Sequence, residues 1–147
     1  MTDGRRPSVA VLADDLIWST RLASVVDRAG AAAVVVSSGA AFADALDGSA
    51  GAIVDLALRS ADPIDAIALA AVRGTTVVAV GPHEDAATRK EALAAGASRV
   101  FAYRKLFEDG PRAIAKALGL SADVLSPAEV ARTAPVAAAG RGSSPAE

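Results

Sequence analysis

The sequence predicts a doubly wound α/β domain built on a five-stranded parallel sheet. Five short apolar runs recur, at Val9–Ala13, Ala33–Ser37, Ala52–Val54, Thr76–Val80 and Arg99–Ala102. They are continuous rather than alternating, as expected of strands buried on both faces. Segments with helical spacing separate them, and repeated strand–helix alternation implies right-handed crossovers and parallel pairing.

Each element has a local reason. The first run leads into Leu16–Ala29, where Leu22, Val25, Val26 and Ala29 share one side and Arg21, Asp27 and Arg28 lie elsewhere. After the second run comes a shorter, Ala-rich helix over Gly39–Leu46, with Ser37-Ser38-Gly39 ready to cap it. The third run precedes a helix over Pro63–Val72, opened by Asp62 as a cap and Pro63 in the first turn. The fourth precedes a helix over Glu84–Ala95, stopped by Gly96, and the fifth a helix over Asp109–Leu118, stopped by Gly119. These lengths suit a flavodoxin-like sheet of order 2-1-3-4-5.

The chain of 147 residues is expected to form one domain over 9–120, after a lead-in at 1–8. Residues 121–147 carry Pro127, Pro135 and Pro145, an Ala-rich stretch and a Gly-Arg-Gly-Ser-Ser end, and read as a mostly disordered tail. A hydrophobic content of 52% is ample for a core. Seventeen acidic against fifteen basic residues give a net charge of −2, with no basic block suited to nucleic acid. The chain has no cysteine, so disulfides, thiolate catalysis and zinc–sulfur sites are excluded. Its longest uncharged stretch, residues 29–43, is too short and polar to span a membrane. The first residues lead into a strand rather than a signal-peptide apolar region, so a cytoplasmic location is expected.

Acid placement is the strongest functional clue. The first run ends in Asp14-Asp15 and the third in Asp55. In a 2-1-3-4-5 sheet those strands are neighbours flanking the switch point, where such sheets place ligands. A cluster of three carboxylates there suits a hard cation and a phosphoryl group.

Several short segments resemble the receiver domain of two-component response regulators, the CheY-like family. Leu12-Ala13-Asp14-Asp15 resembles its acidic pair, Ile53-Val54-Asp55 its phosphoacceptor strand, and Ala94-Ala95-Gly96-Ala97-Ser98 the segment before its fifth strand. The resemblance spans roughly Val9 to Leu118. It implies that Asp55 is the nucleophile that takes a phosphoryl group. It also implies a Mg²⁺ site of Asp14, Asp15, Asp55 and the Ala57 backbone carbonyl, oxygen ligands of the kind that ion prefers. Two positions depart from the family. Gly81 stands where receivers carry Thr or Ser, and Tyr103 where they carry Lys, with Arg104 in the place of the following Pro. Arg104 and Lys105 are accessory candidates for a phosphate, against a plain reading as a solvated loop pair.

Other residues carry less. Trp18 is expected to be partly buried and could roof the site or touch a partner. His83, the only histidine, reads as a solvated loop residue. Ser37-Ser38-Gly39 is weak as an anion nest. No phosphate-binding glycine motif and no nucleophile elbow occur.

The resulting expectation is a stand-alone atypical receiver that signals by binding a partner, a sensor kinase or other signalling protein, with possible Mg²⁺-dependent phosphorylation of Asp55. The expected face is residues 84–118, which could also support a homodimer. Enzymatic activity is not expected beyond self-phosphorylation from a donor and autodephosphorylation. One alternative is a phosphorylation-independent pseudo-receiver adaptor or dimerisation module. Another is a flavodoxin-like domain that binds a small molecule in the same crevice.

Overall fold

The computed structural model describes residues 6–82 and 85–120. Strands β1 (Ser8–Leu12), β2 (Ala32–Val36), β3 (Gly51–Asp55), β4 (Val77–Gly81) and β5 (Arg99–Ala102) alternate with helices α1 (Leu16–Arg28), α2 (Gly39–Leu46), α3 (Pro63–Val72), α4 (Ala86–Ala95) and α5 (Tyr103–Leu118). All pairings are parallel and the order is β2-β1-β3-β4-β5, as the sequence predicts. The expected tail, most of the lead-in, and His83 and Glu84 lie outside the described residues.

The sheet divides two cores. On one side Val9, Val11, Ile53, Val78 and Val80 pack against Leu22 and Val26 of α1 and Leu106, Ile114 and Leu118 of α5. On the other, Ala10, Leu12, Val54, Val77 and Ala79 meet Phe42, Ile67, Ala70 and Ala92. Burying each Val, Leu or Ile side chain stabilises the fold by about 1.5–3 kcal/mol before entropy is counted. Small residues let the layers approach. A Cβ on Gly51 would come within 2.9 Å of Leu118, and one on Gly110 within 3.2 Å of Val25. Gly96, at φ 121°, ends α4 where a Cβ would lie 2.5 Å from Ala71.

Two expectations are corrected. Burial on both faces holds for β1, β3 and β4 but not for the two edge strands: Val34 and Val35 of β2 are exposed, and in β5 only Phe101 is buried. Helix α5 begins at Tyr103, not Asp109. Asp109 is a kink within it (φ −153°, ψ 37°), before Gly110 and Pro111. The Asp-Gly-Pro run reads locally as a helix start, but Leu106 and Gly110 are both buried and carry the helix past it. Arg104 and Lys105 therefore sit in a helical first turn rather than a loop.

The expected caps form. Asp62 accepts from Ile64 N at 2.9 Å before Pro63, and Ser38 accepts from Ala41 N at 3.1 Å. Among the described residues, no helix is long and apolar enough to cross a membrane.

Candidate functional site

The last residue of β3 is Asp55, buried to 0% exposure, and among the described residues it is the one fully buried charged side chain. Strand alternation places it there: Ile53 faces α1 and α5, Val54 faces the other core, and Asp55 returns to the first side. Its Oδ1 accepts the Tyr103 hydroxyl at 2.5 Å and the Ala57 amide at 3.1 Å. Its Oδ2 is buried with no hydrogen-bond partner among the described residues. Burial pushes the Asp55 carboxyl above the usual range, against the two hydrogen bonds, and the charges of Asp14 and Asp15 push the same way. Burial and the bond to Asp55 likewise raise the Tyr103 phenol above its ordinary value.

Tyr103 reaches Asp55 because β5 delivers it to the same end of the sheet. Ala102 pairs with Gly81 of β4, and Asp55 with Val80. The Tyr103 ring stacks on Trp18 of α1, centroids 3.9 Å apart and planes 19° from parallel. Trp18 is partly buried, as expected, and lies over the tyrosine that covers Asp55.

The acidic pair is engaged elsewhere. Asp14 is exposed, and its Oδ2 accepts from the amides of Arg59 and Ser60 at 2.8 and 2.7 Å. Those bonds, led by the Arg59 amide, hold its carboxyl below the usual range. Asp15 caps α1, its Oδ1 accepting from Trp18 N at 2.9 Å. The Ser60 hydroxyl also donates to the Ser37 carbonyl, tying the segment after β3 to the end of β2.

Comparison with known proteins identifies the architecture. No family model matches the sequence, and no curated protein does. Solved structures do. A response regulator receiver protein from Burkholderia phymatum is 27% identical over 80% of this chain and 99% of its own, with a TM-score of 0.64. A response regulator in red light signaling of R. palustris is 25% identical over 82% and 96%, with a TM-score of 0.60. The signal receiver domain of the putative response regulator NarL from Mycobacterium tuberculosis is 16% identical over 78% and 98%, with a TM-score of 0.66. The chain has the CheY-like receiver fold.

Within that receiver fold, the two departures acquire a physical form. At the Lys position Tyr103 supplies a neutral donor to Asp55 instead of a cation. At the hydroxyl position Gly81 is buried, and a Cβ there would lie 3.1 Å from Leu56 Cβ. Leu56 thus fills the space beside Gly81, a role that nothing in the residue's own neighbourhood announces. Arg104 lies 3.9 Å from Glu108, one helical turn on, and Lys105 lines a groove beside Arg89 and Arg99. The structure does not bring either to Asp55.

The Mg²⁺ implied by the resemblance does not fit the residues as they are arranged. Among the described residues, no group of three or more His, Cys, Asp or Glu side chains is placed to hold a metal ion. Asp14 would have to leave two amides and Asp15 its helix cap. Another protein of this fold, a response regulator from Burkholderia pseudomallei, is described with a phosphorylated aspartic acid, calcium ion and citrate. It is 20% identical over 76% of this chain and 66% of its own, with a TM-score of 0.62.

Proposed function

We propose that this chain is a receiver-fold signalling module that works by partner binding, with Asp55 held closed by Tyr103 rather than open for phosphoryl transfer. The observation that carries the reading is the Tyr103–Asp55 hydrogen bond on a carboxylate with no exposed surface. Fold likeness alone does not decide function, and the site differs from the family pattern at two places that perform the switch. The partner face proposed is α4, β5 and α5. There Arg89, Arg99 and Lys105 line a groove beside exposed Leu93, a surface complementary to an acidic signalling protein or a second copy of the chain.

A second reading, a working phosphoacceptor fed by a sensor kinase, is favoured by one atom. Among the described residues Asp55 Oδ2 is buried and has no hydrogen-bond partner. Intact mass after incubation with acetyl phosphate and Mg²⁺ separates the two, with Asp55→Ala as control. The closed-site reading expects no adduct on the folded protein. A labile phosphoryl adduct that Asp55→Ala abolishes would overturn it in favour of the second.

A further inference from the structure

The two edges of the sheet are built differently. β5 is guarded by charge: Arg99 lies in the strand, Arg89 donates to the Val100 carbonyl at 3.2 Å, and Lys105 lines the same groove. Basic side chains on an edge keep it from pairing with another chain. β2, the opposite edge, carries no such guard. It lies inside the longest uncharged stretch of the sequence, residues 29–43, which also lacks proline. Val34 and Val35 are 40% and 43% exposed, and strand alternation puts them on opposite faces of that edge.

The backbone of the edge is open in a readable pattern. The Ala32 amide donates to the Pro7 carbonyl at 2.7 Å, and the Val36 carbonyl accepts from the Ala13 amide at 3.1 Å. Both bonds run toward β1, so Ala32, Val34 and Val36 turn their backbone groups inward, and Ala33 and Val35 turn theirs outward. On that outer side β2 has no neighbouring strand among the described residues.

We propose that β2 is a self-association edge, on which two copies of this chain pair β2 to β2, antiparallel, about a two-fold axis at Val34. The edge itself selects the occupant. Val34 is the middle residue of β2, so an axis there pairs the strand along its whole length. Ala33 of one copy then meets Val35 of the other, and each such pair exchanges both of its outward backbone bonds. Val34 faces Val34, a close apolar cross-strand contact, and an uncharged segment lies against itself without repulsion. One patch serves both copies, so the assembly closes at a dimer. Pairing β2 with β5 would not close, and it would set valines against the guarded edge. This surface is distinct from the α4, β5 and α5 face, and the pairing does not depend on whether Asp55 takes phosphate.

Sedimentation velocity of the full chain over a micromolar concentration series, with residue-resolved amide exchange, tests the proposal. The native chain is expected to pass from monomer to dimer, with exchange at Ala33 and Val35 slowing roughly tenfold or more as it does. Val34→Lys sets like charges opposite each other at the axis and is expected to weaken association roughly fivefold or more, as is Val34→Glu. A mixture of Val34→Lys and Val34→Glu is expected to recover the dimer, because Lys then faces Glu across the axis. A native chain that stays monomeric would overturn the proposal. So would open-ended assembly, a dimer whose protection falls on residues 84–118, or a mixture that stays monomeric. If a Val34 variant fails to fold, the native exchange profile and Val35→Lys, which guards the same edge, decide.

Discussion

Tyr103 Oη lies 2.5 Å from Asp55 Oδ1, a bond across 48 residues of chain that closes the carboxyl end of β3 with the first residue of α5. A hydrogen bond to a charged partner in a buried place contributes roughly 1–3 kcal/mol, and leaving its acceptor unmatched costs a similar amount. Tyr103→Phe is therefore expected to lower stability by roughly 1–3 kcal/mol, measured by urea denaturation. An unchanged midpoint would show that the bond is not formed in solution.

Burial raises the Asp55 carboxyl, and the sign of its effect on stability follows. A carboxyl whose pKa is higher folded than unfolded favours folding at pH below its ordinary range. That contribution is lost as pH rises through the folded value. Asp55→Asn carries no such penalty. It is expected to be more stable than the native chain at neutral pH, with the gap narrowing as the solution is acidified. Urea midpoints across that range check this, and a gap independent of pH would contradict it.

The Tyr103 phenol is raised above its ordinary value of 10.0. The fold therefore favours the protonated phenol, and this contribution is present below the unfolded pKa and lost as pH rises above it. As the chain's one tyrosine, it should show no tyrosinate absorbance until the protein unfolds in alkali. Absorbance and circular dichroism are expected to change together. A tyrosinate signal preceding unfolding would mean an open phenol.

Asp14 is predicted to act on local structure before any chemistry, because its carboxylate binds the Arg59 and Ser60 amides. Asp14→Ala is expected to accelerate exchange at those two amides and to cost about 1 kcal/mol, whereas Asp14→Asn keeps an acceptor and loses less. Residue-resolved exchange checks it.

Gly81→Thr restores a hydroxyl to the β4 end but places its Cβ against Leu56. Overpacking there is expected to cost about 1–3 kcal/mol, partly relieved by adding Leu56→Ala. Thermal or urea melts of the single and double variants test this, and a Gly81→Thr protein as stable as the native would show that Leu56 moves freely.

Much of the fold was legible because its signals are local. The five apolar runs and the helices between them could be placed from periodicity, and Asp62, Pro63, Gly96 and Gly119 marked helix ends by their own backbone preferences. The position of Asp55 at the end of β3, next to β1, also followed from strand order. The start of α5 did not, because Asp109-Gly110-Pro111 resembles a boundary while contact with α1 holds the helix through it. Nor did the exposure of β2, although the expected order already put it at the edge, because its continuous apolar run gives no sign of an open face.

What the sequence by itself determined is the architecture and the identities of the groups at its carboxyl end: Asp14, Asp15, Asp55, Gly81 and Tyr103. What only the tertiary structure decided is their partners. Asp14 went to the Arg59 and Ser60 amides, Asp15 to the α1 cap, Leu56 to the space at Gly81, and Tyr103 to Asp55 under Trp18. Periodicity is a property of neighbours in the chain. A hydrogen bond across 48 residues depends instead on the register of four strands and the angle at which a helix leaves the sheet.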